Sequence, residues 1–462
     1  MFADARQVAK RPHEYLLATR ERYGPVAQLP IPSPPTYLVS DPHLVRQVLQ
    51  VRPRLYDKDT IQYRALALVT GQGLLAVTDG PWRQQRPAVQ PAFHASALQR
   101  VVEDTLAACD RLVGAWSAAP PGSVVDADEA MMRLGMEVVG QHLFGADLVE
   151  TAPRLTRATL EALDAVVSAA RPPWSLLPDS INPAAARFDE ALSRLDSAVV
   201  DLVAQRLMRG SGGRESDLME LLLLTYPLDP APDPARADSV ATSLSSPQGR
   251  VIRDQIITFL VAGHETVASA LTWALGLLST HPLRWIELVA EVDAVLQGRP
   301  PSAADLPRLR YTRAVVDEAL RLYPPAWIIT RTSEDDSVLG NRFIPRGALV
   351  ITSPWVLHHD PAVWPDPEAF DPGRFMPDDD AAAGSVARAA TAHSRYIPFG
   401  TGMRLCIGRD MALVESVVVL ATIGQNFDLM RAAFTLPEID PLVTLRPADG
   451  LRVRVRRRPL WR

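Results

Sequence analysis

One cysteine, Cys406, lies in a short run of glycine and arginine whose composition is typical of a metal-binding thiolate. The run reads FGTGMRLCIG and covers residues 399–408. Glycine at 402 and 408 permits positive φ values and a close approach of the backbone, and Arg404 places a positive charge two residues before the sulfur. A free cysteine is more often a small buried residue. The surrounding pattern instead predicts a loop that holds the Cys406 thiolate against a metal.

An acid and an alcohol lie next to each other in a long apolar segment. Residues 262–266 read AGHET, and apolar residues predict one helix from about Pro247 to Ser279. Gly263 weakens that helix by roughly 1 kcal/mol relative to alanine, so we interpret it as making room for a flat cofactor. Glu265 is a candidate proton relay and Thr266 a candidate hydrogen-bond donor. The alternative is an exposed glutamate and a threonine bonded to its own helix.

A carboxylate and a guanidinium, Glu318 and Arg321, are three residues apart in the segment EALR. On a helix this spacing places them on one face, where such a pair usually contributes a few tenths of a kcal/mol at the surface.

Composition and charge favour a soluble globular protein and argue against a nucleic-acid-binding one. The chain has 462 residues, a net charge of −5 and a pI near 6.0, so nothing attracts it to phosphate backbones. Cys109 is the only other cysteine, which fits a reducing compartment. The first 24 residues lack the apolar run of a signal peptide or membrane helix. We therefore expect a cytoplasmic protein with no integral membrane segment, which still allows peripheral membrane contact during substrate uptake.

The chain shows no flexible linker, so a single domain over residues 1–462 is expected. Prolines separate two short extended runs, at 26–29 and 36–39, and predict a β-rich N-terminal lobe at about 25–60. Helical periodicity predicts a helical body over about 61–462. Two segments rich in small and polar residues, 226–246 and 377–390, are predicted to be surface loops.

Together these motifs resemble the cytochrome P450 superfamily. The cysteine loop is similar to the family pattern FxxGxRxCxG, and the other matches, in chain order, are the WxxxR pair Trp82 and Arg86, the AGHET segment, Glu318-xx-Arg321 and Arg374. The resemblance implies a mainly α fold, a triangular helical prism with a smaller β-rich lobe. It also implies haem b (iron protoporphyrin IX) between the long helix and the Cys406 loop, with O2 as co-substrate.

The resemblance also implies a role for each residue. Cys406 would bind the iron, Glu265 and Thr266 would deliver protons to dioxygen, and Glu318, Arg321 and Arg374 would form a structural triad. Arg86, Arg331 and Arg404 would bind the haem propionates. The full set of implied haem contacts is Trp82, Arg86, Ala262, Gly263, Arg331, Phe399, Arg404, Cys406 and Gly408.

A closer similarity concerns the substrate. The segments QYRAL (62–66), VAGHETVASALTW (261–273), EALRLYPPAWIIT (318–330) and VTLRP (443–447) are similar to the thermophilic bacterial family member that hydroxylates the β-ionone ring of β-carotene. A carotene has no charged group, so its site is expected to be apolar. The substrate residues implied are Leu74, Leu75, Ala262, Thr266, Ile328, Ile329 and Val443. Packing of the protein core explains the same residues nearly as well.

Other functions are compatible with the same motifs. An apolar tunnel also serves a fatty-acid or terpenoid hydroxylase, and a haem sensor or redox carrier would need the thiolate but not the acid and alcohol. Because the chain ends soon after Cys406, we expect electrons from a separate ferredoxin or flavodoxin with its reductase. No nucleic-acid partner is expected.

Overall fold

The computed structural model of the chain describes residues 11–31, 33–94, 97–169, 183–210, 217–376 and 394–459. The segment 377–390, predicted to be a loop, lies outside these ranges. The helices are α1 Pro12–Tyr23, α2 Pro42–Arg46, α3 Ile61–Thr70, α4 Asp79–Val89, α5 Leu98–Ala118, α6 Ala127–Phe144, α7 Ala152–Ala169, α8 Pro183–Arg209, α9 Leu218–Thr225, α10 Ala237–Leu244, α11 Pro247–Thr280, α12 Pro282–Leu296, α13 Arg310–Leu322, α14 Pro354–His358 and α15 Arg409–Asn426.

The strands are short, and among the described residues none lies between Asp126 and Ile329. They are β1 Val26–Leu29, β2 Thr36–Val39, β3 Tyr56–Asp57, β4 Val124–Asp126, β5 Ile329–Ser333, β6 Ser337–Leu339, β7 Arg342–Ile344, β8 Leu349–Thr352, β9 Phe427–Arg431, β10 Ile439–Pro441, β11 Leu445–Pro447 and β12 Arg452–Arg457. The prediction of a mainly α fold with a smaller β-rich part is confirmed.

The described residues form two compact units. The first unit contains the residues up to Thr60, Cys109–Glu129 and the residues from Ser269 onwards, and the strands belong to it. The second unit contains Ile61–Ala108 and Ala130–Ala268 and is built from helices. The long helix α11 belongs to the second unit up to Ala268 and to the first unit from Ser269.

A five-stranded sheet in the first unit has the order β1-β2-β8-β5-β3. The predicted strands at 26–29 and 36–39 pair antiparallel, with Val26 opposite Val39. Strand β2 then pairs parallel with β8, and β8 pairs antiparallel with β5. Two central strands of the sheet, β5 and β8, therefore come from residues 329–352. They lie about 300 residues after the N-terminal lobe predicted at 25–60. Strand pairing joins residues that are distant in sequence, so the local pattern at 25–60 did not predict them.

The long helix α11 runs from Pro247 to Thr280, close to its predicted bounds. Pro247 begins it because proline lacks an N–H that the first turn leaves unbonded. The helix is long and apolar enough to cross a membrane, but 83% of its most apolar 18-residue stretch is buried inside the protein. We therefore interpret α11 as a core helix of the fold.

The predicted loop at 226–246 is partly wrong. It contains the eight-residue helix α10, Ala237–Leu244, in which Val240, Ser243 and Leu244 are buried. The polar composition of the segment led to the prediction of a loop. Burial of one helix face by tertiary contacts stabilises α10 despite the weak helix propensity of its residues.

Candidate functional site

The Cys406 loop lies in the first unit, immediately before α15. The Cys406 backbone N–H donates to the Phe399 carbonyl at 3.0 Å, and the Leu405 N–H donates to the Gly402 carbonyl at 3.1 Å. These bonds fold residues 399–406 back on themselves, and Gly408 is the residue that precedes the first turn of α15. The sulfur is thus held two residues before a helix N-terminus, where the helix dipole favours negative charge.

The two cysteines differ sharply in their accessibility. The Cys406 side chain is exposed, whereas Cys109 is fully buried. Burial raises the pKa of the Cys109 thiol to about 12, against an opposing hydrogen bond with Thr422. Cys109 is therefore a neutral core residue, and Cys406 is the cysteine that can offer a thiolate to a metal.

The conformation and packing of the cysteine loop require glycine at 402, whereas the φ angle at 408 is one that other residues can adopt. Gly402 has a φ of +76°, as the sequence predicted, and Gly400 has a φ of +69°. The expectation of a positive φ at Gly408 is wrong, since its φ is −88°. A Cβ atom at Gly402 would lie 2.0 Å from the Leu49 carbonyl oxygen. The loop therefore packs against the backbone of residue 49 at a distance that excludes any side chain at 402.

Replacing Gly402 with alanine is expected to destabilise the loop by about 2–5 kcal/mol, from backbone strain and from the clash with Leu49. Gly347→Ala is the matched control, because Gly347 has a φ of +79° and nothing within 4 Å of its Cβ position. That variant should lose only about 1 kcal/mol. Denaturant unfolding and haem content measure both effects. Equal losses in the two variants would contradict the packing role of Gly402.

The candidate haem contacts on the first unit include two arginines and an aromatic residue. Arg331 lies in β5, is 6% exposed and donates from Nη1 to the Thr330 carbonyl at 2.8 Å. Arg404 lies in the one-turn helix Gly402–Arg404 of the cysteine loop and is partly buried. Phe399 is partly buried in the same loop, and its carbonyl oxygen accepts the hydrogen bond that the Cys406 N–H donates. Both arginines lie on backbone that regular hydrogen bonds fix in place.

The Glu318–Arg321 pair is buried, unlike the surface pair that its spacing alone would suggest. Both side chains are 0% exposed, with Nε to Oε2 at 2.7 Å and Nη2 to Oε1 at 2.8 Å. Burial raises the pKa of Glu318, and the bonds from Arg321 and the charge of Arg374 act against that rise. Arg374 Nε lies 3.5 Å from Glu318 Oε1, so the structure brings the three predicted triad residues together.

The triad also holds the chain that precedes Arg374. Arg321 donates three further bonds, to the carbonyls of His358, Pro367 and Ala369, at 2.9, 2.7 and 3.1 Å. The Asp371 N–H donates to Glu318 Oε1 at 2.9 Å. One buried ion pair thereby fixes a segment of irregular backbone.

A small accessible window interrupts the buried helix α11. From Asp254 to Ser279 the side chains are buried except at Ala262, Gly263 and Thr266, which are partly exposed. Residues 262 and 266 are one turn apart and therefore share a face. Of the predicted cofactor and proton-transfer positions on α11, Ala262, Gly263 and Thr266 are accessible to a bound molecule, whereas Glu265 is buried.

Close packing against α6 fixes this window within the second unit. A Cβ at Gly263 would lie 2.8 Å from the Val139 side chain, and a Cβ at Gly135 would lie 3.0 Å from the His264 carbonyl oxygen. The space left by Gly263 is therefore filled by Val139. In this structure the glycine lets two helices approach closely, and the accessible side of the window is formed by Ala262 and Thr266.

The acid and the alcohol differ in their settings. Glu265 is 3% exposed, so the alternative of an exposed glutamate is wrong. The Thr266 hydroxyl donates to the Ala262 carbonyl at 2.9 Å, as the same alternative expected for a threonine bonded to its own helix.

On α4 of the same unit, the Arg86 guanidinium carbon lies 5.9 Å from the centre of the Trp82 ring, within the range of a cation–π contact.

Two of the predicted substrate residues lie in the segment between α3 and α4, where Leu74 is buried and Leu75 partly exposed. Side chains on α11 hold this segment. The Gln72 N–H donates to Asp254 at 2.7 Å, and the Leu74 N–H donates to Gln255 at 3.2 Å. Gln255 in turn donates to Gln85 at 2.9 Å. The sequence reading missed these residues, although polar side chains inside an apolar helix signal buried hydrogen bonds.

The remaining substrate candidates, Ile328, Ile329 and Val443, are partly exposed and lie in the first unit. Ile329 begins β5, and Val443 lies in the turn between β10 and β11. These three side chains are apolar, so they offer no charged group to a substrate.

The donor set fits a haem group. No group of three or more histidine, cysteine, aspartate or glutamate side chains in the described part of the chain could hold a metal ion. A metal bound to the exposed Cys406 sulfur would therefore need to bring its other ligands with it, as an iron porphyrin does. Arg331 and Arg404, in the same unit as Cys406, are guanidinium donors suited to its carboxylates.

Comparison with known proteins gives a consistent result. The family model described as "Cytochrome P450" matches residues 1–449. Cyclooctat-9-en-7-ol 5-monooxygenase from Streptomyces melanosporofaciens is 35% identical over 91% of this chain and 85% of its own length. The chloroplastic carotene epsilon-monooxygenase of Arabidopsis thaliana is 29% identical over 94% and 80%. The crystal structure of CYP175A1 from Thermus thermophilus superposes with a TM-score of 0.72 at 30% identity and covers 98% of this chain and 97% of that one.

Proposed function

Because this chain belongs to the cytochrome P450 family, we propose that it hydroxylates the β-ionone ring of a carotenoid such as β-carotene. As a family member it is a monooxygenase that uses haem b, with O2 as co-substrate and electrons from a redox partner. For that partner we propose a separate ferredoxin or flavodoxin with its reductase. The proposal concerns which substrate is oxidised and which residues do the work.

Cys406 would hold the haem iron, and Arg86, Arg331 and Arg404 would hold the propionates. The bound haem supplies the activation of O2 and the insertion of one oxygen atom into a C–H bond. The structure supports these roles through the exposed Cys406 sulfur and the fixed backbone around it. Phe399, whose carbonyl oxygen accepts the hydrogen bond from the Cys406 N–H, would limit the access of water to the sulfur.

Glu265 and Thr266 would hold and move protons beside the accessible window of α11. The Thr266 hydroxyl already has a definite acceptor, the Ala262 carbonyl, which keeps its oxygen lone pairs available to accept a bond from another group. Glu265 is buried next to it on the same helix. A carboxyl group in that setting can relay a proton without a permanent opening to bulk water.

The observation that carries the substrate proposal is that none of the accessible candidate positions has a charged side chain and all of them except Thr266 are apolar. Leu75, Ala262, Ile328, Ile329 and Val443 offer contact area without charge, which suits a hydrocarbon polyene better than a fatty-acid carboxylate. The similarity to a carotene epsilon-monooxygenase over 94% of the chain agrees with this choice.

Co-expression with a ferredoxin and its reductase in a β-carotene-producing bacterium tests the proposal. We expect carotenoids that are heavier by one or two oxygen atoms, read by chromatography and mass spectrometry. The Cys406→Ala variant is the control and should give unchanged β-carotene. Unchanged β-carotene from the wild-type chain, with its haem intact, would overturn the carotenoid proposal.

The second candidate is a terpenoid hydroxylase. It is favoured by the cyclooctat-9-en-7-ol 5-monooxygenase, which is more similar in sequence than the carotene relative, at 35% against 29% identity. The same purified protein can be titrated with β-carotene and with a cyclic terpene alcohol while the haem spectrum is recorded. A spectral shift with the terpene alcohol alone would favour this second candidate.

A further inference from the structure

Trp327 links two chain segments that both contain candidate substrate residues. It directly precedes Ile328 and Ile329, and its indole Nε1–H donates to the carbonyl of Leu442 at 3.2 Å. Leu442 directly precedes Val443. The two bonded residues are 115 positions apart in sequence, and both belong to the first unit.

The turn that contains Val443 is held at both of its ends. At the far end, the Leu445 carbonyl accepts bonds from the Ser269 hydroxyl at 2.6 Å and from Trp273 Nε1 at 3.0 Å. The Leu445 N–H donates to the Pro325 carbonyl at 3.2 Å. At the near end, the bond from Trp327 reaches Leu442. Val443 and Thr444 therefore lie between two residues whose backbone is held by hydrogen bonds, Leu442 and Leu445.

Trp327 is itself held firmly. Its side chain is 6% exposed and packs in a core cluster with Leu16, Leu38, Trp355 and Leu445. Its carbonyl accepts a bond from the buried Ser353 hydroxyl at 2.7 Å. Neither the ring nor the backbone of Trp327 can move freely. The hydrogen bond from its indole N–H therefore holds the Leu442 carbonyl in a fixed position.

We propose that Trp327 is a positioning residue that sets the placement of Val443 relative to Ile328 and Ile329. The inference rests on the proposed function, in which those side chains contact the substrate. A displacement of about 1 Å in a substrate contact can change the rate of oxidation by orders of magnitude. One buried hydrogen bond, remote from the reacting atoms, thereby influences which substrate carbon is oxidised.

The test uses two tryptophans that differ in this bond. Trp327→Phe removes the indole N–H and keeps an aromatic ring. Trp355→Phe is the matched control, because Trp355 is 7% exposed in the same core cluster and its Nε1 has no hydrogen-bond partner among the described residues. Both variants should fold and bind haem, since neither position is a haem contact in the proposal.

Binding of azoles to the haem gives a readout independent of the natural substrate. Imidazole is too small to contact the proposed substrate side chains when it binds the haem, so its Kd should stay within about twofold in both variants. The Kd of 4-phenylimidazole should change about fivefold in Trp327→Phe, the usual effect of one hydrogen bond, and not in Trp355→Phe. Equal ratios of the two azole constants in both variants would overturn the proposal.

Hydrogen exchange gives a second readout that needs neither haem nor turnover. The Leu445 amide should exchange about fivefold faster in Trp327→Phe, because the turn loses one of its anchors. Its rate should be unchanged in Trp355→Phe. If Trp327→Phe fails to take up haem, the exchange rates decide alone, and equal rates in the two variants would overturn the proposal.

The products of β-carotene oxidation separate this inference from the proposed function. A changed ratio of oxygenated isomers in Trp327→Phe alone would support both. If the wild-type chain leaves β-carotene unchanged while the azole constants still differ between the variants, the positioning role stands and the carotenoid assignment fails.

Discussion

Replacing Cys406 with alanine is expected to abolish the absorption band that a thiolate ligand gives to reduced, carbon monoxide-bound haem. The reason is the exposure of the Cys406 sulfur and the absence, among the described residues, of any cluster of three or more metal-ligating side chains. Monooxygenase activity should be lost with the band, because a thiolate ligand favours O–O cleavage. The measurement is a reduced carbon monoxide difference spectrum of the purified variant.

Cys109→Ala is the control for this variant, since these two are the cysteines of the chain. Burial raises the pKa of the Cys109 thiol to about 12, so the group is neutral at physiological pH and contributes packing and a hydrogen bond with Thr422. The variant should keep the thiolate band and lose roughly 1 kcal/mol of stability. A band that survives in Cys406→Ala, or disappears in Cys109→Ala, would contradict the assignment of the iron ligand.

Replacing Glu318 with glutamine is expected to prevent stable folding around the haem. The change leaves the fully buried charge of Arg321 without its carboxylate, and removing one partner of a buried pair costs about 3–5 kcal/mol. It also weakens the acceptor for the Asp371 amide, which lies in the segment leading to Arg374. Expression yield, haem content and denaturant midpoint should all fall.

Glu190→Gln provides the same substitution at an exposed ion pair. Glu190 accepts a bond from Arg194 at 2.6 Å, but the two side chains are 65% and 47% exposed. Such a pair contributes less than about 1 kcal/mol, so this variant should resemble the wild type. Similar unfolding midpoints for Glu318→Gln and Glu190→Gln would show that the triad does not have the structural role proposed for it.

Local pattern was enough to predict the elements on which the site is built. The first two strands, Val26–Leu29 and Thr36–Val39, were predicted because prolines and polar residues delimit short β-forming runs. The helix α11 was predicted because the pair Ser246-Pro247, which can start a helix, precedes a long segment rich in apolar residues. These signals are contained in neighbouring residues, so one sequence is sufficient to read them.

Contacts between distant residues were not predictable in the same way. The bond from Trp327 to Leu442 joins positions 115 residues apart, and the bond from Leu74 to Gln255 joins positions 181 residues apart. Neither leaves a local pattern, because a backbone carbonyl or amide can accept or donate from any residue type. The fully buried state of Glu318 and Arg321 likewise depends on the segments packed around them, and not on their spacing.

Backbone conformation was predictable only in part. Gly402 and Gly408 have the same residue type and lie in the same loop, yet only Gly402 adopts a positive φ. The difference follows from the start of α15 directly after Gly408, which places that residue at the helix N-cap. Glycine permits a left-handed conformation without requiring it.

The most direct test of the account is to supply the purified chain with a ferredoxin, its reductase, β-carotene and isotopically labelled O2, and to determine the mass of the products. We predict hydroxylated carotenoids in which each new hydroxyl group contains one labelled oxygen atom, and none of them with Cys406→Ala. Unlabelled hydroxyl groups would contradict a monooxygenase reaction, and the absence of any oxygenated carotenoid from protein with an intact thiolate-haem band would contradict the carotenoid substrate.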